Sequence, residues 1–496
     1  MFFNPNAILF SRRAKRGGYL MLLALVFGAI FVGLLGALSS YVLIENRLQG
    51  VKYSQSQAFT IAEAGIEYYR WFLAHYPGDT TNGTGHAGPF VVPYNDPEGG
   101  QTGTITLGVT GNTACGQVTS IDLESEGVAS DNPLVKKTVL ARYARPSVGT
   151  YSYILNDSVW AGADRVILGP YHSNGGIHMD GSVNSLVSSS VASWNCTSSY
   201  GCGGSGSSTT SQPTAPGVLG NGTNQNLWEY PTPQVDFSAI SADFNNLKTT
   251  AQSVGLYLPR YSTGNDNGAA YWKGYHLIFN ANGTVTVRHV TSTTQLSSTP
   301  VNAADDEDDV ADRMVIANET NFNTYTISPD CGLIFVEDNT WVEGTIPSKI
   351  TLVVANTDAG IHPSAYLRNN IVYGAADGSD GFTLIAERNV LVTPDSPQNM
   401  TLHGIFIAQG GAFGRNLYGC PGSYEPKGTL TILGTTVSNK RTGTKWVNGC
   451  YSWWTGYSDA GYQTRIDSYD RRMASDPPPF TPLVSADYQL MDWREE

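Results

Sequence analysis

The 496-residue sequence has few charged side chains and is especially poor in basic ones. Charged residues make up 14% of the chain, and 29 Lys and Arg stand against 42 Asp and Glu, so the net charge is −13. A nucleic-acid-binding protein needs basic patches, so this balance argues against a nucleic-acid partner. Aromatic residues reach 11%, which argues against disorder. With 54 glycines, the composition favours a mainly β, turn-rich extracellular protein of about three domains.

The sequence also lacks the short motifs that mark common active sites. It contains no G-x-S-x-G, H-E-x-x-H or Walker pattern. Isolated acids occur instead, and they form no recurring pattern along the chain: Asp180, Glu337, Asp338, Glu343 and Glu387 with Arg388. His172 and His178 are six residues apart and have no third ligand nearby, so we interpret them as surface residues. We therefore predict a protein that is not an enzyme and has no metal and no cofactor. A carbohydrate-active β-helix enzyme is an alternative.

One long stretch lacks both proline and charge. No proline occurs between Pro5 and Pro77, and the 27 residues from Gly18 to Ile44 carry no charged side chain. About 20 apolar residues cross a bilayer as a helix, so this run predicts a transmembrane span. Four basic residues precede it: Arg12, Arg13, Lys15 and Arg16. The positive-inside rule then places the N-terminus in the cytoplasm and the remaining chain outside, as a single-pass protein.

The helical pattern continues beyond the apolar run, which predicts one helix over residues 18–76. Apolar and small residues recur at steps of three and four: Ala58, Ile61, Ala62, Gly65, Tyr69, Phe72 and Leu73. This stripe should pack against an extracytoplasmic head. Within the span, Ala29, Gly33 and Ala37 form a second stripe of small residues, which favours close packing between membrane helices. A secretory signal peptide would have a shorter apolar core.

The N-terminal residues resemble those of a known family. The segment Lys15-Arg16-Gly17-Gly18 and the stretch from Gln57 to Glu67 resemble the N-terminus of type IV pilus minor pilins of the PilX kind, which are related to K-type pseudopilins. The resemblance implies a cytoplasmic leader over residues 1–17 and cleavage by a leader peptidase after Gly17 or Gly18, next to Tyr19. It further implies partnership with other pilin-like subunits and the pilus assembly machinery, in a bacterial cell membrane and, after assembly, in a pilus.

One position departs from the major pilins of that family, which carry glutamate at the fifth mature residue. Cleavage at either glycine puts Leu22 or Leu23 there. The resemblance is therefore to the minor subset without that glutamate. A plain single-pass surface adhesin with no pilus role is the alternative.

The rest of the chain reads as a succession of β-rich segments. Residues 77–148 predict a small antiparallel β-sheet domain, because alternating strands fill residues 102–145. Residues 149–225 predict a first β-solenoid part with a low-complexity loop. Residues 226–260 contain a bridging helix, expected at 235–258 with Ser238 or Ser241 as its cap and Gly255 as its end.

The densest β signal lies in residues 261–440, the predicted main β-solenoid. Asn282-Gly283 predicts a hairpin turn, and the acidic run Asp305 to Asp309 is interpreted as a solvated loop. Short apolar strands then follow one another through residues 331–440. A right-handed parallel β-helix is the preferred interpretation, and a large β-sandwich is the alternative.

The cysteines and the tail complete the predictions. Cys196–Cys202 and Cys420–Cys450 each bracket a local excursion, so we expect two disulfides; the pairing of Cys115 and Cys331 is left open. Zinc at the first pair would need further ligands, and none are near in sequence. Residues 441–496 form an aromatic, Pro-rich tail. Its aromatic side chains are candidates to bind a surface glycan or another cell, or else form the core of a cap: Tyr451, Trp453, Trp454, Tyr457 and Tyr462.

Together these patterns predict a pilin-like, membrane-inserted surface protein. It would act without catalysis in the assembly of a type IV pilus or related filament and in surface attachment.

Overall fold

We analysed a computed structural model of the chain. It describes residues 17–203, 212–263, 272–294, 296, 314–358, 360–418, 424–452 and 456–496. Within these ranges the protein is mainly β, with one long N-terminal helix and several sheets, including a small antiparallel one. The acidic run Asp305 to Asp309 lies outside the described residues.

Three helices are described: α1 Gly17–His75, α2 Phe244–Val254 and α3 Arg471–Ser475. The strands of the small sheet and of the first β-rich part are β1 Phe90–Asn95, β2 Gln101–Ala114, β3 Gln117–Ala129, β4 Lys136–Ala144, β5 Tyr153–Leu155, β6 Val159–Ala161, β7 Arg165–Leu168, β8 Tyr171–Ser173, β9 Ile177–Met179, β10 Ser182–Val183, β11 Val187–Ser189, β12 Ser193–Cys196, β13 Gln212–Pro216, β14 Val218–Leu219 and β15 Trp228–Glu229. The remaining strands are β16 Leu256–Leu258, β17 Gly274–Asn280, β18 Thr284–Thr294, β19 Val315–Thr326, β20 Leu333–Val336, β21 Thr340–Ile346, β22 Lys349–Val354, β23 Ala365–Tyr373, β24 Gly381–Ala386, β25 Val390–Val392, β26 Met400–Ala408, β27 Phe413–Gly414, β28 Lys427–Ser438, β29 Lys445–Ser452, β30 Gly456–Ser468 and β31 Gln489–Glu495.

The small sheet is antiparallel, with the strand order β1-β2-β3-β4-β31. Strands β2, β3 and β4 come from the segment where alternating residues predict them, whereas β1, Phe90–Asn95, precedes that segment. Its fifth strand comes from the other end of the chain: Trp493 on β31 lies opposite Ala141 on β4. The predicted tail, residues 441–496, therefore contributes its last strand to the first sheet, and the two ends of the head are joined there.

The bridging helix is shorter than the sequence pattern predicts. Helix α2 covers Phe244–Val254, and its N-cap is Asp243, whose carboxylate accepts a hydrogen bond from the Asn246 amide, and not Ser238 or Ser241. Before it, Asp236 instead caps a separate turn through Ser238. Gly255 follows the last helical residue, as expected. Asp236 and Asp243 can each cap a helical turn, so the sequence did not define at which residue this helix begins.

The predicted hairpin at Asn282-Gly283 is present. Strands β17 and β18 pair antiparallel from Asn280–Thr284 outward, and Gly283 has a φ of 82°, a conformation that glycine adopts without strain. Strand β19 adds to β18 and extends this antiparallel flap. The flap remains attached to the body because β17 also pairs in parallel with β21.

The body consists of short strands that pair in parallel with strands one turn further along the chain. One column runs β16-β20-β22-β24-β26-β28, and a second runs β17-β21-β23-β25-β27. Inward-facing side chains stack between them, such as Leu352, Leu384 and Phe406. Parallel pairing between successive turns of the chain is typical of a β-solenoid, whereas a β-sandwich is built from antiparallel strands. A right-handed parallel β-helix stays our interpretation of it.

The two β-rich parts stack on each other although the chain does not connect them at that place. The end of β28, Thr436–Ser438, pairs in parallel with β5, and β30 pairs in parallel with β7. The column then continues through β8, β11 and β15. The last coil of the second part is therefore covered by the first coil of the first part, and α2 lies in the connection that leads from one outer end to the other.

A buried ion pair lies at this junction. Arg165 on β7 donates to the Asp467 carboxylate on β30 at 2.6 Å, and both side chains are almost fully buried. The Tyr153 hydroxyl donates to the same carboxylate at 3.2 Å, and the Arg165 guanidinium lies 4.3 Å from the centre of the Tyr153 ring. Burial opposes the charge on Arg165, but Asp467, Tyr153 and Tyr171 together outweigh it, and the pKa of Arg165 is raised. Tyr153 and Arg165 belong to the first β-rich part and Asp467 belongs to the second, so these contacts join the two parts.

Two disulfides have both cysteines described. Cys196 and Cys202 are joined at the pair that their spacing predicts. Cys115, at the β2–β3 turn, is joined to Cys331, just before β20, across 216 residues. This second bond ties the small sheet to the parallel body, and the sequence left its pairing open. Cys450 is disulfide-bonded and buried, whereas Cys420 lies outside the described residues.

We predict that breaking the junction ion pair from one side destabilises the protein strongly. Arg165→Met leaves a buried carboxylate without its cation, and this should lower the free energy of unfolding by about 3–5 kcal/mol. Denaturant unfolding of the full chain in detergent measures it. Arg70→Met, which removes an exposed pair with Glu67, is the control and should cost less than about 1 kcal/mol. An equal, small effect of both variants would contradict a structural role for the buried pair.

We also predict that the two disulfides differ in what they contribute. Cys115→Ser with Cys331→Ser opens a large loop and should cost about 4–5 kcal/mol, because closure entropy grows with loop length. Cys196→Ser with Cys202→Ser opens a six-residue separation and should cost about 2 kcal/mol. The same unfolding assay under non-reducing conditions compares the two, and the reverse order would refute this expectation.

Candidate functional site

Helix α1 is divided into two halves with opposite surroundings. Large apolar side chains from Tyr19 to Tyr53 are exposed; Tyr19 and Phe31, for example, are 75% and 63% exposed. The helix is long and apolar enough to cross a membrane, with a mean hydropathy of 2.6 over its most apolar window, and this window has no covering within the protein. The exposed half therefore needs lipid or other helices around it.

The second half packs on the small sheet. The stripe that the sequence predicts is buried, and the buried apolar residues of α1 are Ala58, Ile61, Ala62, Ile66, Tyr69, Phe72 and Leu73. They share a core with inward-facing residues of the sheet such as Ile105, Leu123 and Tyr143. The alternation of the strands and the helical spacing of α1 thus present two apolar faces to each other.

Glycines let the helix and the sheet approach closely. A Cβ at Gly65 would collide with the Ser125 hydroxyl and lie 2.6 Å from Ile105. A Cβ at Gly127 on β3 would collide with the backbone of α1 at Ala58 and Ala62. With so little space, backbone and side-chain groups can bond directly across the interface.

Two hydroxyl groups of the sheet bind carbonyl groups of the helix. The Ser125 hydroxyl donates to the Ala62 carbonyl at 2.7 Å, and the Tyr143 hydroxyl donates to the Ile66 carbonyl at 3.1 Å. Burial raises the pKa of Tyr143, so its hydroxyl remains a donor. These bonds fix the rotation of α1 about its own axis, because each carbonyl points in one direction only.

The C-terminal strand borders the same helix. Trp493 on β31 meets Phe59 edge to face, with ring centroids 6.1 Å apart. Trp493 and Leu490 line an open groove of about 490 Å³ beside α1, together with Ile66 and two acids, Glu63 and Glu67. The groove lies beside the half of the helix that packs on the sheet.

The predicted N-terminal site residues lie on the exposed half. Ala29, Gly33 and Ala37 are exposed, and an added Cβ at Gly33 would meet no atom within 4 Å. Helix α1 begins at Gly17 and continues through Gly18 and Tyr19. The basic residues Arg12, Arg13, Lys15 and Arg16 lie outside the described residues.

The aromatic residues of the tail do not form one surface. Tyr451 and Tyr457 are exposed and face each other across β29 and β30, with ring centroids 5.0 Å apart. Tyr462 is fully buried, and its hydroxyl donates to the Pro397 carbonyl at 2.9 Å with the Ser396 hydroxyl 3.1 Å away, so it is not accessible for binding a glycan or another cell. Tyr462 lies further along β30 than Tyr457, in the part of the strand that pairs in parallel with β28 in the body. Trp453 and Trp454 lie outside the described residues.

The two histidines also differ from expectation, because both are buried and lie on different strands. His172 on β8 is 3% exposed and His178 on β9 is 1% exposed. The His172 ring bonds with Ser188 and Asn174. The chain turns a corner of the coil between β8 and β9, so the six-residue spacing of the two histidines does not place them on one face of a single strand.

Each candidate acid is engaged by neighbouring groups. Glu337 accepts from the Tyr257 hydroxyl at 2.6 Å and pairs with Lys248. Asp338 accepts from the Ser262 amide and hydroxyl at 2.6 and 2.8 Å, and burial raises the pKa of its carboxyl.

Two further candidate acids, Glu387 and Glu343, lie at different places in the body. Glu387 accepts from the Asn356 amide at 2.8 Å and lies 2.8 Å from the His362 ring. Glu343 bonds with His276 at 2.9 Å and Arg368 at 3.3 Å. Burial raises the pKa of Glu343, but the contacts with His276, Arg368 and Asn369 together outweigh it, and the net shift of the pKa is downward.

Sequence reasoning missed His276. Its ring is fully buried on β17 and bonds with Glu319 on β19 at 2.7 Å as well as with Glu343 on β21. Arg288 pairs with Glu319 on the outer side. Hydrogen bonds and ion pairs of Glu319 and Glu343 with these basic side chains therefore connect the flap strands β18 and β19 to β17 and β21, and they hold the flap to the body. The residues are far apart in sequence, so no local signal marked them.

No protein-family model and no curated protein matches the chain. Among solved structures, the crystal structure of the competence-associated pilin ComZ from Thermus thermophilus is similar with a TM-score of 0.30 and 13% sequence identity, over 89% of this chain and 97% of that chain. At this TM-score the likeness establishes no shared fold.

We predict that the helix–sheet contact tolerates no side chain at Gly65. Gly65→Ala should lower the free energy of unfolding by about 1–3 kcal/mol through overpacking, and should expose the α1 backbone near Arg70 to trypsin. Gly50→Ala is the matched control, since an added Cβ there meets no atom within 4 Å. It should stabilise the helix by about 0.5–1 kcal/mol. Similar effects at both glycines would show that α1 is not held closely on the sheet.

Proposed function

We propose that this chain is a pilin-like, membrane-inserted subunit that joins a type IV pilus or related filament. The observation that carries the proposal is the division of α1: an uncovered apolar half continues without a break into a half that is fixed on a small antiparallel sheet. The exposed half of such a helix can anchor in lipid and later pack among other helices. The half that packs on the sheet keeps the head in a defined orientation. The N-terminus would be cytoplasmic and the head extracytoplasmic.

The contact surface we propose for other subunits is the stripe of Ala29, Gly33 and Ala37. Small residues let two helix backbones approach each other closely. Dispersion contacts between the helices then replace the contacts that each helix makes with lipid. The alternative pairing, between a carboxylate near the helix start and a neighbour's amino terminus, has no counterpart at Leu22 or Leu23. Such a subunit would depend on shape complementarity and would be a minor component of the filament, as the PilX-like resemblance implies.

We further propose that the head acts without catalysis. The candidate acids Glu337, Asp338, Glu343 and Glu387 each have nearby hydrogen-bond or ion-pair partners, and they lie on different strands and loops. General acid–base chemistry needs acids that converge on one substrate. For attachment to a glycan or another cell, the exposed pair Tyr451 and Tyr457 is the contact we propose, since tyrosines provide large contact area at low entropic cost.

A second candidate function is that of a plain single-pass surface adhesin. The same exposed apolar half of α1 would serve it equally well, because one transmembrane helix suffices as an anchor. The two functions differ at the N-terminus. Intact-mass measurement on the protein from its native host should find a chain that begins at Gly18 or Tyr19; a chain that begins at Met1 or Phe2 would leave only the adhesin.

We predict that bulk on the small-residue stripe prevents incorporation into filaments. Gly33→Ile with Ala37→Ile should reduce the protein in sheared surface filaments by about tenfold, which corresponds to about 1.4 kcal/mol of lost packing. The control is Ala24→Ile, because nine residues place Ala24 about 180° around the helix from Gly33. Both variants should remain in the membrane fraction. Equal loss with both, or loss with neither, would contradict the assignment of the stripe.

A further inference from the structure

A buried histidine lies against a disulfide at one corner of the first β-rich part. Cys196 ends β12, and Cys202 follows after a tight turn, so the bond closes a short loop. The His178 ring, from β9, faces this loop: its Nδ1 lies 4.0 Å from the Cys202 sulfur. Both cysteines are fully buried, and His178 is 1% exposed.

These three side chains have the arrangement of a metal-ligand set. One ligand atom from each of His178, Cys196 and Cys202 can be chosen so that all lie within 4.8 Å of one another. Zinc binds sulfur at about 2.3 Å and nitrogen at about 2.0–2.1 Å, so a tetrahedral site needs roughly 3.6 Å between nitrogen and sulfur. The observed 4.0 Å between His178 Nδ1 and Cys202 Sγ is close to this value. The Cα atoms of the cysteines are 5.7 Å apart, so both thiolates can reach one ion.

A second, independent feature orients the histidine as metal-bound histidines are oriented. Its other nitrogen, Nε2, lies 3.2 Å from the Asp180 carboxylate. Asp180 is in turn held by the Trp160 indole at 3.0 Å and by the Asn221 amide at 3.0 Å. Metal-binding histidines almost always donate their second ring N–H to such a fixed carboxylate, which sets the ring orientation.

The walls of the corner shield the same atoms from bulk solvent, and a tetrahedral zinc with three protein ligands takes one water molecule as its fourth ligand. The Trp160 ring stacks on His178, with centroids 5.7 Å apart and planes at 14°. A Cβ at Gly201 would lie 2.6 Å from that indole, so the loop between the cysteines is pressed against it. Buried thiolates and an imidazole are soft and intermediate donors, a set that selects zinc over calcium or magnesium.

We propose that His178, Cys196 and Cys202 bind one zinc ion whenever the two cysteines are thiols, with Asp180 as the positioning residue behind His178. The disulfide and the zinc site are then alternative ways of closing the same loop. The thiol state exists in the newly made chain before oxidation, and it returns when a dithiol, or a phosphine together with water, supplies two electrons and two protons to the disulfide.

Binding changes a small number of bonds. The two sulfurs, no longer bonded to each other, separate to about 3.7 Å around the ion. Two thiol protons are released as the thiolates form. His178 Nδ1–H, which donates to the Tyr200 carbonyl at 2.6 Å, gives its proton to the solvent or to Nε2, and the freed Nδ1 lone pair coordinates zinc while Nε2 stays 3.2 Å from Asp180.

The test uses the full chain in detergent, reduced with a phosphine under argon and then freed of reductant. Zinc competition against a chromophoric chelator gives affinity and stoichiometry, and cobalt substitution reports thiolate ligands by a charge-transfer band. The parent is the variant Cys115→Ser with Cys331→Ser, which removes the other described pair. We expect one zinc bound by the reduced parent at this site, and no zinc at it in the oxidised protein.

Three histidine and aspartate variants separate the site from other thiols. His178→Ala should weaken zinc binding by at least about 100-fold, and Asp180→Asn by about 10–100-fold. His172→Ala is the matched control, a buried histidine one coil strand away, and should bind zinc as the parent does. Non-reducing peptide mapping of the oxidised variants checks that each still forms Cys196–Cys202 and is folded.

The proposal is overturned if the reduced parent binds no zinc at micromolar concentration, or if binding persists unchanged in both His178→Ala and Asp180→Asn. The second result would assign the metal to other cysteines. If His178→Ala does not fold, the near-isosteric Asp180→Asn decides alone, because a structural role of Asp180 would not alter the cobalt spectrum or the zinc affinity of a folded loop.

Discussion

Parallel backbone pairing between β28 and β5 is the contact on which the rest of the head depends. It joins two runs of coils that are connected only through the long route by way of α2. Without it each run would end in an uncovered edge of unpaired N–H and C=O groups. A backbone ladder alone allows register to slip, and the Arg165–Asp467 pair opposes this, because a shift of one residue would bury each charge without its partner.

The same principle, distant segments closing on each other, governs the attachment of α1. The helix packs on a sheet whose outer strand, β31, is the last strand of the chain. Cys115–Cys331 ties that sheet to β20 in the body. An apolar helix, a small sheet and a long stack are thereby fixed to one another, so that the direction in which α1 leaves the head is set by the whole fold.

The close fit of α1 and the sheet also explains why small residues occur in both halves of the helix. Gly65 is small because the sheet lies against it. Ala29, Gly33 and Ala37 are small although nothing in the described chain touches them. The proposed filament contact gives the second group the same physical reason as the first.

The sequence by itself determined the features that arise from neighbours along the chain. Helix α1, its buried stripe, the hairpin at Gly283 and the disulfide at Cys196–Cys202 follow from periodicity, turn chemistry and short spacing. Only the tertiary structure decided which distant segments meet: β31 with β4, Cys115 with Cys331, and His178 with the short disulfide. Corners turn the chain after every few residues, so spacing along it says little about which side chains share a face. That is why both histidines, expected at the surface, and Tyr462, a candidate for binding, are buried.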